Sequence, residues 1–70
     1  MMPLTMANRG QVNIIRKISG KDEVRQRLAE LGFVVGASVT VVNALGDNVI
    51  LNVKGCRVAL SANMANRIMV

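Results

Sequence analysis

The sequence predicts a small, mainly β domain: a barrel of about five strands, with one α-helix after the first strand and a short helical turn before the last. Three observations carry this expectation. A helix-like pattern stops at Gly32, and a β-branched run, Ser38-Val39-Thr40-Val41-Val42, begins after Gly36. In residues 49–53 the apolar Val49, Leu51 and Val53 alternate with Ile50 and Asn52, the period of a half-buried strand. Glycines at positions 10, 20, 32, 36, 46 and 55 then cut the chain into short elements.

The first strand is expected over residues 12–18, with Val12 and Ile14 on one face and the consecutive Ile14-Ile15 marking two-sided burial or a bulge. Ser19 or Asp22 can cap the helix that follows, and Asp22 and Glu23 suit the positive end of its dipole. Val24, Leu28 and Leu31 recur at i, i+4 and i+7 on its apolar face, and Gly32 sits where a left-handed C-cap is wanted. The second strand covers about residues 38–43. A turn at Leu45-Gly46-Asp47-Asn48 joins it to the third, and Lys54-Gly55 turns the chain again. The fourth strand points Val58 and Leu60 inward, with Cys56 sharing their parity. Ser61 is placed to cap one helical turn over residues 62–65, and Ile68 and Val70 close the sheet. A helical turn just before the last strand is the SH3-like order; an OB-like barrel has its helix between the third and fourth strands.

Seventy residues make a single domain, 1–70, and a chain this short buries only about 60% of its unfolded surface. With Phe33 as the sole aromatic, the core must be built from Val, Leu, Ile, Met and Ala. Cys56 is alone, which excludes an internal disulfide, fits a reducing compartment and reads as a small buried hydrophobe. The stretch from 31 to 46 has no ionisable residue, yet it is shorter than the roughly 20 residues of a spanning helix and is broken by glycines. Residues 1–7 lack the basic start and long apolar core of a secretory signal, so the expected location is cytoplasmic. The methionines Met1, Met2, Met6 and Met69 offer either an apolar patch for weak self-association or a loose terminus.

The composition excludes most chemistry. There is no His, the one thiol has no imidazole to activate it, and Asp22, Glu23, Glu30 and Asp47 form no evident pair in a cleft, so no catalytic residue is assigned and the chain is not expected to be an enzyme. The same side chains supply no N/S ligand set, and no clustered glycines cradle a phosphate, so neither a metal site nor a cofactor is expected. One aromatic residue cannot line a proline-peptide groove or stack bases. The net charge of +5 points to an anionic partner, although the nine Lys and Arg never run longer than two.

Nearly the whole chain resembles the FeoA family, small free-standing domains with an SH3-like fold. The resemblance rests on Gly10, Ile18 with Gly20, the block Arg27-Leu28-Ala29-Glu30-Leu31-Gly32-Phe33 with Gly36, residues 39–42, Gly46-Asp47, Ala59-Leu60 and the ending Ala65-Asn66-Arg67-Ile68-Met69-Val70. Val35 stands where the family often has proline, Met64 where it often has glutamate, and Ser61 where a basic residue is common. The resemblance implies an accessory, regulatory role in ferrous iron uptake, acting on the cytoplasmic G-protein (GTPase) region of the FeoB permease at the inner face of the membrane. It also brings transition metal ion binding as a family attribute, which the ligands here do not supply. Candidate partner contacts are Arg25, Arg27 and Glu30 on the helix margin, with Phe33 and Val34 as apolar anchors where exposed. The alternative is a basic SH3-like barrel that binds nucleic acid through phosphates, with steep salt dependence. A third reading is an oligomerising domain akin to the C-terminal modules of iron-dependent repressors.

Overall fold

Consecutive β-branched residues cannot share one face of a strand, and at Ile14-Ile15 the chain changes sheets. In the computed structural model, which describes residues 1–70, β1 (Val12–Ile14) pairs antiparallel with β3 (Ser38–Leu45), and β2 (Lys17–Ile18) pairs with β6 (Ile68–Met69). Between them Ile15 donates to the Ala37 carbonyl at 2.9 Å, and Arg16 donates to the Met69 carbonyl at 2.8 Å. The expected strand over 12–18 is therefore two short strands meeting at a corner, and Ile14-Ile15 marks that change of partner rather than a bulge or two-sided burial; Val12 and Ile14 share a face as expected. Val12 and Ile14 face solvent at 65% and 44% exposure, while Ile15 is buried. Alternation fixes which residues share a face but not which face is inward.

The larger sheet runs β1-β3-β4-β5, with β4 at Asn48–Val53 and β5 at Cys56–Ser61. Two-residue turns join its hairpins. At the second, Lys54 and Gly55 both have positive φ, 51° and 76°, as a type I′ turn requires. β3 extends to Leu45, beyond the expected end, and an irregularity between Val41 and Asn43 sets its residues 39–45, seven in all, against the six of β4. β4 has the expected inward set: Val49, Leu51 and Val53 are buried. Cys56 corrects the sequence reading. It pairs with Val53, but the turn at Gly32 covers Val53 and leaves Cys56, at the end of the hairpin, exposed.

The fold is the expected mainly β, SH3-like one, with six strands in two sheets rather than a barrel closed by hydrogen bonds. β5 is an outer strand, and Arg57 on it is the kind of charge that discourages edge-to-edge pairing. α2 (Ala62–Ala65) begins at Ser61, whose Oγ accepts from the Met64 amide at 3.3 Å.

The amino-terminal residues carry an element that sequence patterning missed. Leu4–Met6 form a 3-10 turn with Leu4 fully buried, and Met2 and Val70 exchange two backbone hydrogen bonds of 2.9 Å each. Residues from Met2 onward are thus tied down rather than loose. Met1 and Met6 remain exposed while Met2 and Met69 are partly covered. The core is one cluster of thirteen apolar residues, with no buried polar side chain.

Candidate functional site: a groove between the helix and residues 33–35

α1 (Asp22–Glu30) is short, and its position follows from how it ends. Gly32 takes φ +104°, its amide donates to the Ala29 carbonyl at 3.0 Å, and the Phe33 amide donates to the Leu28 carbonyl at 2.9 Å. These paired bonds are the Schellman arrangement, and the two side chains it brings together, Leu28 and Phe33, are both fully buried. The reversal displaces Leu31. The periodicity places it on the apolar face with Leu28, but it is the C-cap residue and stays half-exposed, while Phe33 fills the core. At the other end Lys21 is the N-cap without a side-chain bond and Asp22 is the first helical residue, so neither Ser19 nor Asp22 caps the helix. Replacing Gly32 by alanine puts a Cβ on a backbone disfavoured for L-residues, with only ordinary contacts of 3.5 Å to Lys54 and 3.6 Å to Val53. The expected cost is about 1–2 kcal/mol, read as a fall in melting temperature of about 5–15 °C by far-UV circular dichroism.

The same reversal sets residues 33–35 beside the helix and leaves a shallow concavity of about 420 Å³ between them. Asp22, Arg25, Gln26 and Ala29, spaced i, i+3, i+4 and i+7, form one wall. Val34 and Val35, 37% and 64% exposed, form the other, and Ile18 and Phe33 complete the lining. Asp22 and Arg25 make an ion pair on the rim, both well exposed, so its contribution to stability is small.

The candidate contacts divide on this geometry. Arg25 and Val34 line the groove with Phe33 beneath them; Arg27 and Glu30 do not line it. Arg27 lies about 200° around the helix from Arg25, on the side of Glu23 and Glu30. Phe33 is 0% exposed, which removes it as a surface anchor and places it in the core at the groove. Sequence reasoning passed over Ile18, Gln26, Ala29 and Val35. The spacing of Asp22, Arg25, Gln26 and Ala29 was readable as one helical face; the position of Val35 follows from the turn and had no periodic signal.

No three of the His, Cys, Asp and Glu side chains come together as a metal ligand set. The donors present therefore do not fit a resident transition metal. No helix is long and apolar enough to cross a membrane.

Comparison with known proteins agrees with this architecture. Over 70 residues, the chain is 33% identical to the Methanocaldococcus jannaschii protein named for Fe(2+) transport as its protein A, covering 100% of this chain and 85% of that one. A crystal structure described as the iron uptake regulatory protein FeoA superposes with a TM-score of 0.90 at 33% identity, covering 99% of this chain and 92% of the other. Stenotrophomonas maltophilia FeoA, described as an SH3 domain protein and solved in complex with zinc, superposes at 0.86 with 28% identity, covering 100% and 89%. Residues 2–70 match the family model described as the FeoA domain. The chain belongs to the FeoA family of small accessory proteins of ferrous iron transport.

Proposed function

We propose that this FeoA protein is a non-enzymatic regulator of ferrous iron uptake that binds the cytoplasmic G-protein region of the FeoB permease, and so is recruited to the inner face of the membrane. The observation that carries the proposal is the groove: Val34 and Val35 leave apolar surface open to solvent beside a helix wall with Arg25 on its rim. In a domain that has no ligand set and no nucleophile–base pair, an apolar concavity of this kind is suited to binding another protein. Of the candidate contacts, Arg25 and Val34 make the interface directly, Phe33 belongs to the core at the groove, and Arg27 and Glu30 lie outside it.

The test is a titration of the isolated cytoplasmic domain of FeoB, with guanine nucleotide present and absent. Val34→Glu places a charge in the groove from a half-exposed position, so the protein stays folded while affinity falls at least tenfold, about 1.4 kcal/mol. Arg27→Glu leaves affinity within about twofold, since surface charges away from a contact contribute little. Unchanged affinity for Val34→Glu would move the interface elsewhere.

A further inference from the structure

The two edges of the larger sheet differ. In the β1–β3 ladder Asn13 pairs with Val39, and the Ile15 amide continues the pairing by donating to the Ala37 carbonyl at 2.9 Å. Antiparallel alternation then puts the hydrogen-bonded positions at 13 and 15, and turns the N–H and C=O groups of Val12 and Ile14 away from β3. β1 ends the sheet on that side, and no turn or loop bond reaches either backbone. The same two residues carry exposed aliphatic side chains, whose neighbours across the ladder are the polar Thr40 and Ser38. β1 therefore presents open backbone groups and uncovered apolar surface along one line, with no charged residue in the strand. The opposite edge is guarded, since Arg57 stands at one of the outward-turned positions of β5.

We propose that β1 pairs antiparallel with β1 of a second copy, centred on Asn13, so that two domains share a continuous sheet. Open positions at 12 and 14 flank a closed one at 13, which makes the edge its own complement about a two-fold axis. In this register Val12 of each copy exchanges both its outward backbone bonds with Ile14 of the other. The four aliphatic side chains of the two strands form one cluster on the outer face, the kind of cross-strand contact that stabilises a ladder. No like charges meet. Arg16 falls opposite Gly10 of the second copy, and Arg9 is engaged within its own chain, where Nη1 donates to Asn43 Oδ1 at 3.1 Å. A foreign strand would also satisfy the backbone groups, but the edge repeats itself under the two-fold and carries no charge for a different partner to match. The strand is only three residues long, so the contact is smaller than a standard interface and the dimer is weak. This surface is separate from the groove, which neither Val12 nor Ile14 lines.

The experiment follows amide hydrogen exchange and translational diffusion by NMR from low micromolar to millimolar protein. The Val12 and Ile14 amides exchange fast in dilute protein and slow by about threefold or more as diffusion slows, while Asn13, already bonded to β3, changes little. Val12→Lys with Ile14→Lys alters exposed positions only, so the far-UV circular dichroism spectrum is kept, and association is lost because like charges stand directly opposite. Val12→Glu with Ile14→Lys sets opposite charges across the two-fold and restores an association that salt weakens. Only the antiparallel register distinguishes these two variants in that way. Exchange at Val12 and Ile14 that is independent of concentration, association undiminished in the double lysine variant, or a charge-swapped variant that associates no better than it, overturns the proposal. Protection that appears instead at Arg57 and Ala59 moves the contact to β5 and overturns it too. So does protection of Val12 and Ile14 that appears only when the FeoB cytoplasmic domain is added, which would give the edge to a foreign strand.

Discussion

Phe33→Ala is expected to lose about 3–5 kcal/mol of stability, through lost transfer free energy and the cavity left behind. A domain of this length holds about 3.5–10 kcal/mol in total, so the variant stands at the edge of unfolding. The effect is large because Phe33 serves two structures. It is the largest fully buried side chain, and its amide closes the Schellman bond to Leu28 that ends α1. The ring also lines the groove, so its loss disturbs that site as well as the core. Urea titration followed by far-UV circular dichroism reads the loss as a lower midpoint; the chain has no Trp or Tyr, and fluorescence would report little. Phe33→Leu keeps an apolar side chain in place and is expected to retain both the fold and most of the partner affinity. An unchanged midpoint in Phe33→Ala would mean that the site collapses around the missing ring.

Leu4→Ala is expected to cost about 2–5 kcal/mol, although nothing in the flanking pattern marks Leu4 as a core residue. It is fully buried in the 3-10 turn, and the turn packs against α2. The loss should be accompanied by faster amide exchange at Val70 and Met2, whose mutual hydrogen bonds depend on the same segment staying down. A stability loss below about 0.5 kcal/mol, the range of ordinary surface substitutions, would show that the 3-10 turn is dispensable.

These two residues also mark what was legible. Gly32 and the break in periodicity announced the end of the helix, and Phe33 could be read as core from its place after that cap. Val49, Leu51 and Val53 declared their inward face because they alternate with Asn48, Asn52 and Lys54, Ile50 being the one apolar residue of the other parity. Ser61 declared its capping role through the helical turn that follows it. Val12 and Ile14 could be placed on one face but not assigned to core or solvent, because an apolar alternation reads alike from either side of a strand, and only the switch of partners at Ile15 decides which face is wet. Leu4 was silent because a three-residue turn has no period to detect. Cys56 has the parity of Val58 and Leu60, but burial at a hairpin end depends on whether a neighbouring element reaches it, and that depends on distant packing. For the groove, the helical wall was written in the spacing of Asp22, Arg25, Gln26 and Ala29; the opposite wall existed only once the reversal at Gly32 was known.

The pairing of Met2 with Val70, and of Lys17 with Met69, has a bearing on how the protein reaches its native state. The first contact spans almost the full chain and the second most of it, so each costs more loop-closure entropy than the β3–β4 and β4–β5 hairpins, which close locally. The hairpins are therefore expected to assemble early and the β2–β6 ribbon late. Both ends of the chain are then expected to be the last parts held, so a partly folded molecule would leave Leu4 and Val70, buried in the native fold, open to solvent and to proteolysis.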